Sequence, residues 1–346
     1  MADPIRIAIA GAGSIVRAEH IPRFRAIDGV ELVGVANRTY ASSKRAAEEL
    51  GLERAYRDWG ELVEDPDIDA ILIGTWPYLH APIAVSALHN GKHVLTEARM
   101  ARDSSEAQEM LEAAIVNPAQ VAMVVPASFS LWADRAIQRV LGSEIGRVLA
   151  IRVEWDGGAG TDPREHWRWQ RRYSGNNIMA LGILAESMAR WLGPAEWLDA
   201  STANLRPRKP GPDGRLVPAD VPDHVSAIAG YHGGIVATIE MSTVTMLGRG
   251  IHASCYGADG VLEADFGAST LTVRPVGGAA DSAQPVEIAD DERDDWRAEL
   301  DFVAAIRGEK PVELTDFETG AQYMAFVDAV HESATNGIRV DLAGAV

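Results

Sequence analysis

Residues 5–10, Ile-Arg-Ile-Ala-Ile-Ala, lead without a break into Gly11-Ala12-Gly13. This junction constrains the fold more than any other part of the chain. An apolar, β-rich run of this kind reads as a strand buried on both faces. The two glycines after it permit a tight turn and a close backbone approach, and a helix-like stretch, Ile15 to Ile27, follows at once. A pyrophosphate at a helix N-terminus needs this combination, so Gly11, Gly13, Ser14 and Ile15 are candidate cofactor-binding residues. Val16 occupies the place of a third Gly or Ala, a position that serves helix–sheet packing rather than phosphate contact. A bare strand-to-helix turn is the other reading of the loop in isolation.

The surrounding pattern favours the nucleotide. Further apolar runs at 31–36, 70–74, 93–96 and 120–125 are separated by helical stretches at about 41–50, 81–89 and 104–115. In the last of these, Ala107, Met110, Leu111, Ala114 and Ile115 have the spacing of one buried face. Alternation of strand and helix predicts a parallel sheet covered on both sides. After about residue 125 the texture changes. Leu149, Ile151, Val153 and Trp155 alternate with Ala150, Arg152 and Glu154, as in a half-buried antiparallel strand. Strand-like runs recur at 225–232, 235–243, 250–256, 260–265 and 269–274, predicting an open antiparallel sheet with helices. Arg206 to Asp220 reads as a surface loop from its Pro, Gly and charge content. Thr315-Asp316-Phe317-Glu318 reads as a capping box for a helix running to about Ala334. The chain is therefore α/β with two expected domains, 1–125 and 126–346, and its final helix, about 317–335, is expected to pack back near the first domain. A length of 346 residues suits two domains at roughly 150 residues each.

Charge narrows the partners. With 32 Lys and Arg against 50 Asp and Glu, the net charge of −18 argues against nucleic acid. A chain that is 47% apolar and 24% charged is globular in class rather than disordered. The lone Cys255 allows neither an internal disulfide nor a Cys-rich zinc site, and the histidines show no metal-ligand spacing, so no metal is expected. With no basic leader and no apolar run of about eighteen residues, a cytoplasmic protein without membrane contact is expected.

The second strand is expected to end at Ala36-Asn37-Arg38-Thr39, where a dinucleotide domain reads the adenosine ribose. A carboxylate there would select NAD. Asn37 is neutral, Arg38 follows it, and Lys44 and Arg45 come close behind, so the pattern leans to NADP over NAD. A solvated helix start is the alternative for these cations.

Six segments, in order and spacing, resemble the Gfo/Idh/MocA group of sugar and polyol oxidoreductases over nearly the whole chain. They are GAGSIV, TWPYLHAP (75–82), GKHVLTE (91–97), EIGRVLAIRVEW (144–155), YSGNNIMALGIL (173–184) and ELDFVAAIRGEKPV (299–312). The resemblance implies a Rossmann domain, which is a doubly wound parallel sheet, followed by an α/β domain with an open, mostly antiparallel sheet. It implies a nicotinamide cofactor in the cleft between them and a homodimer or homotetramer built through the second sheet. It adds Thr75, Trp76, His80 and Glu97 to Asn37, Arg38 and the glycine loop as candidate cofactor residues. Arg99, Trp167, Arg168, Asn176 and Asn177 become candidates for the substrate pocket.

Three departures stand out. Where the family usually has Glu-Lys-Pro, with the lysine near the reacting hydroxyl, this chain has Glu97-Ala98-Arg99. The family's Asp and, four residues later, His or Tyr on the helix after the Gly-rich turn are here Ala180 and Leu184. Oxidising an alcohol requires removal of a proton, and a positioned base contributes ~10²–10⁴-fold, which alanine and leucine cannot supply. Glu186 is about 200° around a helix from Leu184 and is expected to face away. In the segment Asp162–Tyr173, which resembles the family's pocket lining, His166 and Tyr173 are the candidate catalytic residues, and Arg168, Arg171 and Arg172 can hold an anionic group. A surface loop with Trp anchors is the alternative there. His80 reads as structural or cofactor-adjacent, and Trp76 as a nicotinamide stacker or a filler. His20, His89, His93, His224, His232, His252 and His331 read as packed or surface residues.

Three functions fit these residues: an oxidoreductase with relocated acid–base groups acting on a sugar, polyol or related hydroxy or keto compound; a catalytically silent cofactor binder or regulator; and a lyase or hydrolase using tightly held NAD(P) through a transient ketone. All three take a small molecule.

Overall fold

In the computed structural model, residues 3–157, 162–176, 178–245, 248–279 and 282–343 are described. Asn177, a candidate pocket residue, lies outside these described residues. By its internal contacts the chain forms two units, Met1–Pro126 with Arg297–Met324, and Ala127–Trp296 with Ala325–Val346.

The first unit begins with β1 (Ile5–Ala10), whose last four residues are completely buried. β2 (Val30–Ala36), β3 (Arg54–Ala55), β4 (Ala70–Ile73), β5 (His93–Thr96) and β6 (Ala122–Val124) join it in a six-stranded sheet of order β3-β2-β1-β4-β5-β6. Every pairing is parallel. This is the doubly wound order, with the switch point between β1 and β4. The intervening helices are α1 (Ile21–Arg25), α2 (Tyr40–Leu50), α3 (Trp59–Glu64), α4 (His80–His89) and α5 (Ser104–Val116). Thr39 caps α2 by accepting from the Ser42 N–H, and Gly51 ends it at a φ of 63°.

The buried face of α5 differs from the expected one. Ala107, Met110 and Ala113 are buried, while Leu111 and Ala114 are half-buried and Ile115 is 64% exposed. The buried stripe runs through Ala107, Met110 and Ala113 and leaves Ile115 outside it, and Asp103 caps the helix by accepting from the Glu106 N–H.

The second unit is built on nine strands: β7 (Val148–Asp156), β8 (Ala195–Ala203), then, beyond the small hairpin β9 (Arg208–Pro210) and β10 (Leu216–Pro218), β11 (His224–Tyr231), β12 (Ile235–Ser242), β13 (Ile251–Gly257), β14 (Gly260–Asp265), β15 (Thr270–Pro275), β16 (Gln284–Pro285) and β17 (Val340–Asp341). The main order is β16-β15-β14-β13-β7-β12-β11-β8-β17. All pairings are antiparallel except β12 with β7. β8 gave no strand signal in the sequence because Glu196, Asp199 and Thr202 break up its apolar residues. Its helices are α6 (Asp134–Ser143), α7 (Arg171–Ser174) and α8 (Leu181–Leu192).

Residues 206–220 are not merely a surface loop. They fold into the β9–β10 hairpin, and Lys209 and Ala219 are buried. Charge in that stretch is satisfied by Asp223, which stands fully buried 3.5 Å from Lys209 Nζ.

The last elements are α9 (Ala298–Ile306) and α10 (Phe317–Asn336). Residues 297–324 group with the first unit, so a single cut at 125/126 does not describe the grouping. The cap of α10 is Asp316, which accepts from the Thr319 N–H at 2.8 Å. Thr315, the expected cap, has a φ of 57° and its carbonyl accepts from Val124 N–H in β6 instead.

Candidate functional site

At the switch point of the first unit, three residues interlock. Gly11 has a φ of +92°, and a Cβ on it would lie 2.9 Å from the Gly74 carbonyl. A Cβ on Gly74 would lie 2.2 Å from Val16 Cγ2 and 2.7 Å from Gly11 O. The bulk of Val16 is therefore admitted by the glycine that follows β4. The run Ala70–Gly74 contained that signal, but sequence reasoning did not connect it with Val16. Gly13 is open by contrast, with Gly74 O at 3.8 Å from its would-be Cβ, and Gly13, Ser14 and Ile15 are exposed. The helix after them opens at Ser14 and widens into a π turn, Val16–His20, with Arg17 N–H donating to Gly13 O at 3.1 Å, so that the amides ahead of Arg17 are the ones a helix start leaves open.

Asn37 braces this loop. Its Oδ1 accepts from Ala12 N–H at 2.9 Å, its Nδ2 donates to Ser42 O at 3.2 Å, and its own N–H donates to Ser43 Oγ at 2.9 Å. Arg38 stands over the Trp76 ring at 6.0 Å, which brings together two candidates that are far apart in the chain. Thr75 Oγ1 and Thr96 Oγ1 are buried hydroxyls without a hydrogen-bond partner among the described residues. Open glycine, first-turn amides and an orphaned hydroxyl at the ends of β1 and β4 fit a dinucleotide phosphate.

His80 is buried, with Nδ1 3.0 Å from Arg99 O and Nε2 3.0 Å from Thr75 O. Burial pushes its pKa below the ordinary histidine value, against the pull of those carbonyls. It ties the loop after β4 to the segment after β5 and is no candidate base. Arg99 is 4% exposed.

Sequence reasoning missed His20. It is fully buried, with Nε2 2.7 Å from Glu97 Oε1 and Nδ1 2.6 Å from Glu299 Oε1. Burial alone would lower its pKa, but the carboxylates of Glu299 and Glu97 prevail and raise it to about 9. One imidazolium thus joins the glycine-loop helix, the end of β5 and α9. A histidine four residues past Val16, on the same helix, was the only clue in the sequence.

In the second unit, Ala180 is the cap of α8 rather than a member of its body, and Leu184 N–H donates to Ala180 O at 3.0 Å. Leu184 is fully buried. Glu186 is also buried, where it accepts from Ala127 N–H at 3.0 Å and pairs with Arg190 Nη1 at 2.6 Å. Arg190 Nε reaches Asp134 Oδ2 at 2.7 Å, and Trp191 Nε1 donates to Asp134 Oδ1 at 2.6 Å. This cluster locks α6 to α8 and presents no reactive group.

The segment 162–173 behaves differently. Pro163–Trp169 is a 3₁₀ turn capped by Asp162, and α7 follows it. His166 and Tyr173 come together edge to face, 6.3 Å between ring centroids at 86°. Arg172 lies over the Tyr173 ring at 4.5 Å and Arg168 over the Trp167 ring at 4.6 Å. Loop 204–223 supports the segment from behind: Asp220 N–H donates to Trp169 O at 3.0 Å, Asp220 Oδ1 accepts from Arg171 N–H at 2.6 Å, and Lys209 Nζ stands 5.5 Å from the Trp169 ring centroid. Asn176 is held within the unit, its Oδ1 accepting from Arg171 and its Nδ2 donating to Asp328 Oδ1 at 3.0 Å. Among the described residues no three His, Cys, Asp or Glu gather as a metal site, and no helix is long and apolar enough to cross a membrane.

Two family models match the chain. Residues 5–124 match the oxidoreductase family with an NAD-binding Rossmann fold, and residues 134–263 match the GFO/IDH/MocA C-terminal domain. The chain belongs to the Gfo/Idh/MocA family of oxidoreductases. An uncharacterized oxidoreductase of Synechocystis is 28% identical over 264 residues, covering 75% of this chain and 71% of its own. The D-xylose 1-dehydrogenase (NADP(+)) 2 of Haloferax volcanii is 27% identical over 341 residues, covering 96% and 98%. Among solved structures, a levoglucosan dehydrogenase in complex with NADH and L-sorbose superposes with a TM-score of 0.82, covering 98% of both chains at 24% identity, a likeness of fold. As a Gfo/Idh/MocA member, the chain carries an NAD-binding Rossmann unit and a mixed, mostly antiparallel second sheet.

Proposed function

We propose that this protein is an NAD(P)-dependent oxidoreductase acting on a sugar, polyol or related hydroxy or keto compound, with His166 and Tyr173 in place of the family's usual acid–base groups. The observation that carries this reading is the contact between those two rings, in the segment that resembles the family's pocket lining. Ala98, Ala180 and Leu184 have no proton to exchange. A bound nicotinamide supplies the two-electron acceptor or donor. The chain's own task is to move the hydroxyl proton: Tyr173 hydrogen-bonds the reacting oxygen and His166 takes or returns the proton, since an imidazole nitrogen can both accept and donate one.

His166→Gln and Tyr173→Phe should each lower turnover by about tenfold or more, within the range of general acid–base catalysis. Tight cofactor binding without turnover on a broad carbonyl and polyol panel would instead favour a silent binder. That outcome would gain weight if activity appeared only on combining Ala98→Lys, Ala180→Asp and Leu184→His.

The cation above Trp76 and the absence of a carboxylate at Asn37 support NADP as the preferred cofactor, and a comparison of NADPH and NADH dissociation constants tests it. The outer face of the second sheet exposes Ile228 and Val236 beside Ser226, Thr238 and Glu240. This supports a homodimer or homotetramer through that face, to be read from the mass in solution.

A further inference from the structure

The segment 162–173 contains four arginines, and their surroundings separate them. Arg164 pairs with Asp162 at 2.6 Å and Arg168 with Glu165 at 3.3 Å, so both charges are compensated. Arg171 is committed to Asn176, which Asp328 holds in turn, and stands 3.2 Å from His331 Nε2. Arg172 also has a neutral amide as its partner, but it is exposed where Arg171 is half-buried. Its Nε and Nη2 both donate to Gln170 Oε1, at 3.0 and 2.7 Å, and its guanidinium lies 4.5 Å over the Tyr173 ring. Gln170 is 9% exposed and therefore fixed, whereas Arg172 itself is exposed. Among the described residues no carboxylate stands within ion-pair distance of Arg172. A neutral amide fixes one edge of the fork and an aromatic face fixes its plane, so the positive charge is oriented without being spent. A planar guanidinium held in this way is suited to a carboxylate or phosphate. In a chain of net charge −18, an anionic ligand also needs a local cation to overcome the general repulsion.

We propose that Arg172 receives an anionic group of the substrate, so that the preferred substrate is an acidic sugar or polyol derivative, a uronate or a sugar phosphate, rather than a neutral sugar. This rests on the reading that His166 and Tyr173 line the pocket, because Arg172 adjoins Tyr173 in sequence and covers its ring.

Two measurements test it separately from that reading. The first is equilibrium binding of glucose, glucuronate and glucose 6-phosphate to the protein loaded with oxidised cofactor. One of the two anions should bind about tenfold or more tightly than glucose, the scale of a hydrogen bond to a charged group, and the arm that does so identifies carboxylate or phosphate. Arg172→Gln should collapse this ratio toward one, and Arg172→Lys should recover part of it. Because the ratio is taken within each variant, loss of active protein does not mimic the effect. Equal binding of all three compounds, or a ratio that survives Arg172→Gln, overturns the inference. The second measurement is turnover on the same compounds. Anion binding that depends on Arg172 but leads to no redox turnover would sustain the inference while sinking the oxidoreductase reading.

Discussion

In each unit of this protein a basic side chain lies between two carboxylates, fully buried in the first unit and 12% exposed in the second. In the first unit His20 lies between Glu97 and Glu299; in the second, Arg190 lies between Asp134 and Glu186. The chemistry of the central cation separates them. Arginine stays charged at any pH the fold survives, so the second cluster is a permanent brace between α6 and α8. Histidine can lose its proton, and its carboxylate Glu97 closes β5 beside the segment that carries the cofactor candidates. The same motif is thus a fixed joint in one unit and a titratable one in the other.

The largest effect expected from breaking this pairing is at Arg190. Arg190→Ala leaves two buried carboxylates without their cation and should cost ~3–5 kcal/mol, measured by denaturant unfolding. A loss below about 1 kcal/mol would mean that the cluster is no brace.

The next effect depends on pH. The folded-state pKa of His20 is raised to about 9 from an ordinary value of 6.5. Its stabilising contribution is therefore complete below about 6.5 and is lost as pH rises through about 9, a change of ~3 kcal/mol. Stability should fall across that window in the parent protein, and the fall should flatten in His20→Gln. Arg190 contributes nothing to this slope. An unchanged slope in His20→Gln would place the titration elsewhere.

Gly74→Ala tests the cofactor loop without touching either cluster. The added methyl meets Val16 Cγ2 and Gly11 O and should destabilise by ~1–3 kcal/mol while weakening cofactor binding. Adding Val16→Ala should return part of both, because it removes the nearer of the two clashes. If the double variant is no better than the single one, the clash with the Gly11 carbonyl dominates. The smallest effect is expected from Glu299→Gln, which removes one of the groups holding the His20 proton. At ~1 kcal/mol, it should move the midpoint of the pH-dependent loss toward neutrality. A midpoint that stays in place would assign the hold to Glu97 alone.

How much of this was legible in the sequence varied with the kind of structure. Parallel strands buried on both faces are continuous apolar runs, so β1, β2, β4 and β5 stood out, and so did the glycine loop, since backbone geometry there demands particular residues. β8 and the β9–β10 hairpin did not, because Glu196, Asp199 and Thr202 interrupt the apolar residues of β8 and the charge of Lys209 in the hairpin is met by Asp223, outside the hairpin. The buried stripe of α5 was misplaced toward Ile115, since helical spacing does not say which of two neighbouring stripes will be covered. His20 looked like any scattered histidine, because its partners lie 77 and 279 residues away along the chain.

The sequence by itself determined the class of fold, the position of the nucleotide loop and the loss of ionisable side chains at 98, 180 and 184, for these depend on local periodicity and on residue identity. Only the tertiary structure decided that Gly74 makes room for Val16, that Asn37 is a brace, that His166 meets Tyr173 and that Gln170 and the Tyr173 ring orient Arg172 while Arg164 and Arg168 pair with carboxylates. Each of these is a pairing of groups across space. Side-chain charge, hydrogen bonding and steric room are settled by whichever atoms arrive within a few ångströms, which the order of residues alone does not specify.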